Sequence, residues 1–174
     1  LGPHTFVNLP SDPERGPLYV LFYDLVNIPQ EDQIYARAQL VKFIENKPAG
    51  ARFELVVSSD GVHVVQGFTS DKSKLLAAVD VNGTGPHVPQ VFLMGVNFGQ
   101  GNKLATSVRL NSIAQYLAPM EGRKVFIWFA SKFPLSLFPS LDETEQFQRE
   151  ARKTLNLFAD HQIALYPVDV SGVV

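Results

Sequence analysis

The sequence contains no cysteine, which excludes disulfides, thiol nucleophiles and thiolate metal sites. It also lacks any apolar run approaching the roughly 20 residues that a membrane span requires. Neither sign of charge dominates: 15 basic and 17 acidic side chains are interspersed, and no basic stripe of the kind that nucleic-acid binding needs is present. We therefore expect neither nucleic-acid binding nor a membrane-spanning segment.

Apolar residues are what the chain has in quantity. They make up 45% of it, and 11% of the chain is aromatic, so it can bury enough surface to offset its conformational entropy. A length of 174 residues fits one domain with one core. We predict a single domain over residues 18–174, preceded by an N-terminal extension over residues 1–17.

Four short segments are apolar on both faces, which is typical of strands in a parallel sheet that helices cover on both sides. They are Leu18–Tyr23, Phe53–Val57, Val125–Phe129 and Ile163–Val168. The dipeptide Asp60-Gly61 follows the second segment and is a strong signal for a tight hairpin. We therefore expect an antiparallel strand over residues 62–66.

Helical patterns separate these strands. The segment Gln30–Asn46 is predicted to be an amphipathic helix. Its buried apolar stripe is expected to consist of Ile34, Ala38, Val41 and Ile44. Further helices are predicted over Lys72–Val79 and Lys103–Leu117. A last helix is indicated by a capping box of Ser140 and Glu143, with Phe147, Ala151, Leu155 and Phe158 following at helical spacing.

This order of elements is unusual for a dinucleotide-binding domain and resembles that of a von Willebrand factor A domain. The resemblance runs from Leu18 to Gly172 and is nearest to the von Willebrand factor A-related family of acidobacterial genomes. It is carried by Asp24-Leu-Val-Asn27 with the helix start Gln33…Ala36-Arg37, by Gly122-Arg-Lys-Val-Phe-Ile-Trp-Phe129 and by Ala164-Leu-Tyr-Pro-Val-Asp169. It implies a three-layer Rossmann-like α/β fold with a mostly parallel central sheet, one antiparallel edge strand and helices on both faces. It also implies an exported bacterial protein.

Von Willebrand A domains often bind a divalent cation through an Asp-x-Ser-x-Ser motif, a Thr and a second Asp. The resemblance places Asp24 at the first position and Thr106 at that of the Thr. Val26 and Ile28 stand where the two serines belong, and Ser131 stands where the second Asp belongs. A hard cation prefers about six oxygen ligands, so we expect a degenerate metal site and no cofactor.

Two other interpretations of this region stay open. A cation-dependent adhesion module would hold Mg²⁺ or Ca²⁺ through Asp24, Asn27 and Thr106 together with waters. Alternatively, the Asp24 carboxylate is purely structural and caps the start of the helix that follows it.

A loop after the fourth strand is the best candidate for an interaction site, because such loops carry function more often than the scaffold beneath them. Phe133, Leu135, Leu137 and Phe138 either form an exposed apolar patch that binds a partner or close the core. The residues expected to contact an unknown protein or peptide partner are Asp24, Asn27, Ser131, Lys132, Phe133, Leu135 and Phe138. We expect a non-catalytic adhesion or assembly module.

Catalytic motifs are weak in this sequence, so we expect no enzyme. A serine hydrolase would need Ser59 as nucleophile with Asp142 and His161 as its partners, but the preceding glycine of a nucleophile elbow is absent. The segment Gly99–Lys103 departs from both glycine-rich phosphate-binding motifs.

Overall fold

The computed structural model describes residues 16–80, 103–131, 133 and 145–172. Five strands form one sheet: β1 (Leu18–Asp24), β2 (Arg52–Ser58), β3 (Val62–Thr69), β4 (Lys124–Ala130) and β5 (Ile163–Asp169). Their order across the sheet is β3-β2-β1-β4-β5. β3 pairs antiparallel with β2, and the other neighbouring strands are parallel. The predicted mixed α/β architecture with an antiparallel edge strand is confirmed.

Four α-helices lie in the described part of the chain: α1 (Gln33–Glu45), α2 (Lys72–Val79), α3 (Lys103–Leu117) and α4 (Glu145–Asp160). Each connects two strands or forms part of such a connection, which places helices on both faces of the sheet. None of these helices combines the length and apolar character that crossing a bilayer requires. The capping box predicted at Ser140 and Glu143 lies outside the described residues.

Two hydrophobic cores lie on opposite faces of the sheet, because successive side chains of a strand point to opposite sides. On one face, Leu21 and Val57 pack with residues of α1 and α2. On the other, Phe22 and Trp128 pack with residues of α3 and α4. Both faces of β1, β2 and β4 are thus buried, as their continuous apolar sequences predicted. The same prediction is wrong for β5, where Tyr166 is 50% exposed, because this strand lies at the edge of the sheet.

The stripe predicted for α1 is wrong in large part. The helix buries Ala36, Leu40 and Ile44, whereas Ile34 is 80% exposed. Ala36 and Leu40 repeat at the same four-residue spacing as Ile34 and Ala38, so periodicity could not decide which stripe faces the sheet. By contrast, the apolar spacing in the sequence of α3 predicts one buried face formed by Leu110, Ile113, Ala114 and Leu117. This prediction is confirmed, since all four are buried.

Candidate functional site

Asp24 is the last residue of β1, at the carboxyl edge of the parallel strands, where open α/β sheets usually place their sites. Its side chain is only 1% exposed. The carboxylate oxygen Oδ2 accepts hydrogen bonds from Asn27 Nδ2 at 2.7 Å and from Trp128 Nε1 at 3.0 Å. A short 3₁₀ turn, Leu25–Asn27, follows directly and carries Asn27 back over the strand end.

Asn27 joins Asp24 to α3. Its Nδ2 atom donates both to Asp24 and to the buried hydroxyl Thr106 Oγ1, the latter at 3.1 Å. An amide nitrogen carries two hydrogens, so these two bonds use its full donor capacity. The structure thereby brings together Asp24, Asn27 and Thr106, the three residues named for a cation, with the Asn27 amide nitrogen between the two oxygens.

Burial is the main influence on the acidity of Asp24, and it raises the pKa of this carboxyl above its ordinary value of 3.8. The hydrogen bonds from Asn27 and Trp128 act in the opposite direction, as does the positive charge of Arg109. The nearby Ser58 hydroxyl also lowers the pKa of Asp24. Ser58 Oγ is buried and forms no hydrogen bond of standard geometry with any described residue. Among the described residues, the two hydrogen bonds of standard geometry to this carboxylate therefore both come from N–H donors.

The two positions that would carry hydroxyl ligands in a cation-binding domain are part of the interior. Val26 and Ile28 are 8% and 2% exposed, and Ile28 packs in the core beneath α1. Asp24 precedes the 3₁₀ turn but makes no side-chain capping bond. The interpretation of Asp24 as a helix cap is therefore wrong, because its carboxylate binds side-chain donors instead.

The end of β4 lies beside this cluster. The backbone nitrogen of Ser131 donates to the carbonyl oxygen of Asn27 at 3.1 Å, while Ser131 Oγ is buried without a partner among the described residues. The ring of Phe133 stands edge-on to Trp128, with centroids 5.3 Å apart, and is half-buried. Phe133 thus covers Trp128. Lys132, Leu135, Leu137 and Phe138 lie outside the described residues, so the apolar patch stays a prediction.

A strap after β5, Val170–Gly172, crosses the same edge. The backbone nitrogen of Val170 donates to Ala130 O at 3.1 Å, and that of Gly172 donates to Asp32 Oδ1 at 3.0 Å. The strap starts with a turn in which Asp169 Oδ1 accepts from the backbone nitrogen and the hydroxyl of Ser171. These bonds lower the pKa of Asp169 and fix the chain between β4 and the start of α1.

Three residues in contact with the Asp24 cluster, or acting on its charge, were missed from sequence: Ser58, Arg109 and Trp128. Arg109 Nη2 donates to the carbonyl oxygen of Ser59 at 3.2 Å and so ties α3 to the end of β2. Trp128 lies in a strand that is apolar on both faces, where nothing distinguishes an indole that donates a hydrogen bond from one that only packs. The one available signal was that a buried indole N–H needs an acceptor.

Ser59 is not arranged as a hydrolytic nucleophile. Its hydroxyl donates to Asp60 Oδ1 at 2.8 Å, and His63 Nε2 approaches the same oxygen at 2.7 Å. The carboxylate therefore lies between serine and histidine, whereas a triad requires the histidine in the middle. His161 precedes β5 at the opposite edge of the sheet, and Asp142 lies outside the described residues. Within the described ranges, no three His, Asp or Glu side chains cluster in a way that could hold a metal ion.

Neither a family model nor a curated protein sequence matches the chain. Solved structures do match. BatB, a conserved hypothetical protein from Bacteroides thetaiotaomicron, has a TM-score of 0.52 and 14% identity over 87% of this chain and 65% of its own. An aerotolerance-related membrane protein from Bacteroides fragilis has a TM-score of 0.53 and 12% identity over 87% and 66%. The von Willebrand factor type A protein from Catenulispora acidiphila has a TM-score of 0.46 and 13% identity over 87% and 32%.

The chain spans slightly less than two thirds of each of the two Bacteroides proteins. At these identities the similarity to the two Bacteroides proteins shows the fold alone, a Rossmann-like α/β fold with a mostly parallel central sheet.

Proposed function

We propose that this chain is a non-catalytic protein- or peptide-binding module, used in adhesion or assembly, whose cation site is degenerate. We also propose that the chain is related to the acidobacterial von Willebrand factor A-related family and that it is exported from the cell. The observation that carries it is the position of Asn27 Nδ2, which donates to both Asp24 and Thr106. The amide takes the place that a cation would need between these two oxygens.

Binding a cation there would require Asn27 to leave or to turn its carbonyl oxygen inward. Either change breaks a 2.7 Å hydrogen bond to a buried carboxylate, and bonds of this charge-assisted kind are among the stronger ones in proteins. The cluster would then offer few side-chain oxygens, against the six that Mg²⁺ demands and the six to eight of Ca²⁺. Asp24 and Asn27 are 1% and 6% exposed, so the partner contacts proposed here are the remaining predicted residues after β4: Ser131, Lys132, Phe133, Leu135 and Phe138.

Thermal unfolding with and without Mg²⁺, Mn²⁺ or Ca²⁺, against an EDTA-treated sample, tests the degenerate site. A cation at 100 times its Kd would add about 2.7 kcal/mol to the stability, enough to move the Tm by several degrees in a domain of this size. We expect no metal-specific shift. A rise that disappears in Asp24→Asn would favour the alternative, a cation-dependent adhesion module that uses Asp24, Asn27 and Thr106.

Selection of peptides from a random display library, with EDTA present, tests the binding function. We expect peptides whose affinity is unchanged by Mg²⁺ and reduced by Lys132→Glu. The matched control is Arg123→Glu, an identical charge reversal at an exposed position just before β4, at the opposite edge of the sheet. Peptides that lose affinity equally in both variants, or that require a divalent cation, would contradict the proposal.

A further inference from the structure

Helix α1 carries a second apolar stripe that the core uses only in part. Ile34, Ala38 and Val41 follow one another at spacings of four and three residues, so they share one face of the helix. Ile34 is 80% exposed, Ala38 is exposed and Val41 is half-buried. Helix α1 packs on the sheet through Ala36, Leu40 and Ile44, and Val41 packs at the margin of that core. Ile34 and Ala38 remain exposed outside it.

The outer stripe forms one wall of a groove between α1 and α2. Leu76 and Ala77 form the opposite wall, and the groove encloses a volume of about 640 Å³. Alanines stand on both walls, Ala38 on α1 and Ala77 on α2, which lets another backbone approach closely. Isoleucine, valine and leucine beside them supply apolar surface for contact.

The charges at the rim of the groove are mainly positive. Arg37 and Lys42 both line it from α1, and neither forms a salt bridge with any residue in the described ranges. Asp80 lies at the end of the groove and already has an interaction partner within the protein. Unpaired cations beside an apolar channel favour an occupant with acidic residues along its flank.

We propose that the α1–α2 groove binds an amphipathic helix of a partner protein, with acidic residues flanking its apolar stripe. A helix suits the groove because its side chains at i, i+3, i+4 and i+7 form a narrow ridge that fits between two helices. From Ile34 to Lys42 the α1 wall runs about 12 Å, which matches roughly two turns of such a ridge. This site is separate from the Asp24 cluster, so it does not depend on the function proposed for the carboxyl edge.

Two libraries of helical peptides provide the probe. Both have the same randomised apolar stripe, and the flanking positions are glutamate in one library and lysine in the other. We expect binders from the glutamate library alone, with Kd measured by fluorescence anisotropy. Ile34→Glu should weaken them by about tenfold or more, as expected for loss of an apolar anchoring contact. The double variant Arg37→Glu/Lys42→Glu should instead select binders from the lysine library.

Val108→Glu is the matched control, because it places the same charge at a 55% exposed apolar residue of α3, across the sheet from the groove. It should leave the affinity unchanged. Ile34 is exposed, so its replacement does not threaten the fold. The proposal is overturned if neither library yields binders, if Ile34→Glu binds as wild type does, or if charge reversal does not reverse the preference. Concentration-dependent dimers that Ile34→Glu abolishes would overturn it in favour of a second copy of this chain.

Discussion

Two buried carboxyl groups on the same face of the sheet, Asp24 and Glu54, differ in how their charge is accommodated. Each is 1% exposed, and burial raises the pKa of each. Asp24 receives two N–H donors on one oxygen. Glu54 Oε1 accepts a single bond, from the Tyr116 hydroxyl at 2.9 Å, and its Oε2 has no partner among the described residues.

The difference shows that a buried carboxyl contributes to a structure through its donors and not through burial itself. Three elements meet around Asp24. The turn that follows β1 supplies Asn27, β4 supplies Trp128, and α3 is joined to the cluster through the bond between Asn27 and Thr106. Around Glu54, the Tyr116 hydroxyl at the end of α3 is the one hydrogen-bond donor among the described residues. The rest of the carboxyl lies in an apolar layer, and burying a charged carboxyl there costs stability. We therefore expect Asp24 to hold its neighbouring groups in place, and we expect Glu54 to destabilise the folded protein when it is ionised.

Replacing Asp24 should have the largest effect. We expect Asp24→Ala to lower the free energy of unfolding by about 2–4 kcal/mol, because it leaves the buried N–H groups of Asn27 and Trp128 without their acceptor. Urea denaturation followed by circular dichroism measures the change. The control is Asp71→Ala, which removes a true N-cap that accepts from Ser73 N at 2.9 Å and should cost about 1 kcal/mol. Equal losses would show that Asp24 has no special role.

Replacing Glu54 should have a smaller effect of opposite sign. We expect Glu54→Gln to stabilise the protein at pH 7 by roughly 1 kcal/mol, since glutamine still accepts from Tyr116 and removes a buried charge. Because the folded-state pKa of Glu54 is raised, its contribution to stability is fully present below its ordinary value of 4.5 and is lost as pH rises through the folded value.

Stability measured against pH checks this sign. The profile of Glu54→Gln should fall less steeply above pH 4.5 than that of the wild type. Some decline remains, because the pKa of Asp24 is raised as well and titrates in the same sense. Tyr116→Phe removes the donor and should steepen the decline. A Glu54→Gln profile parallel to that of the wild type would mean that Glu54 is not the group responsible.

Replacing Thr106 should have the smallest effect. Thr106→Val keeps the volume but removes the acceptor for the second hydrogen of Asn27, so we expect a loss of about 0.5–1 kcal/mol in unfolding free energy. Thr154→Val is the matched control: Thr154 is equally buried, but its hydroxyl donates to a carbonyl of its own helix, Glu150 O at 3.0 Å. If both variants lose the same amount, the Asn27 bridge contributes nothing beyond an ordinary buried hydroxyl.

The strand segments, the hairpin and the position of Asp24 were predictable because they depend on local signals: continuous apolar runs, an Asp-Gly turn and a polar residue at a strand end. The buried face of α1 was not, since Ile34 and Ala36 both start apolar stripes and only the sheet decides between them. Glu54 was hidden inside a segment that reads as apolar on both faces. The bond from Trp128 to Asp24 spans 104 positions, and no local pattern encodes it.

Trp128 has one more consequence. It is the single tryptophan of the chain, and its indole nitrogen donates to the Asp24 carboxylate while Phe133 covers its ring. The tryptophan emission of the protein, excited selectively at long wavelength, therefore originates at the carboxyl edge of the sheet. Protonation of Asp24, entry of a cation or displacement of Phe133 by a bound partner would each alter the surroundings of that one chromophore, so the protein contains its own optical reporter of this site.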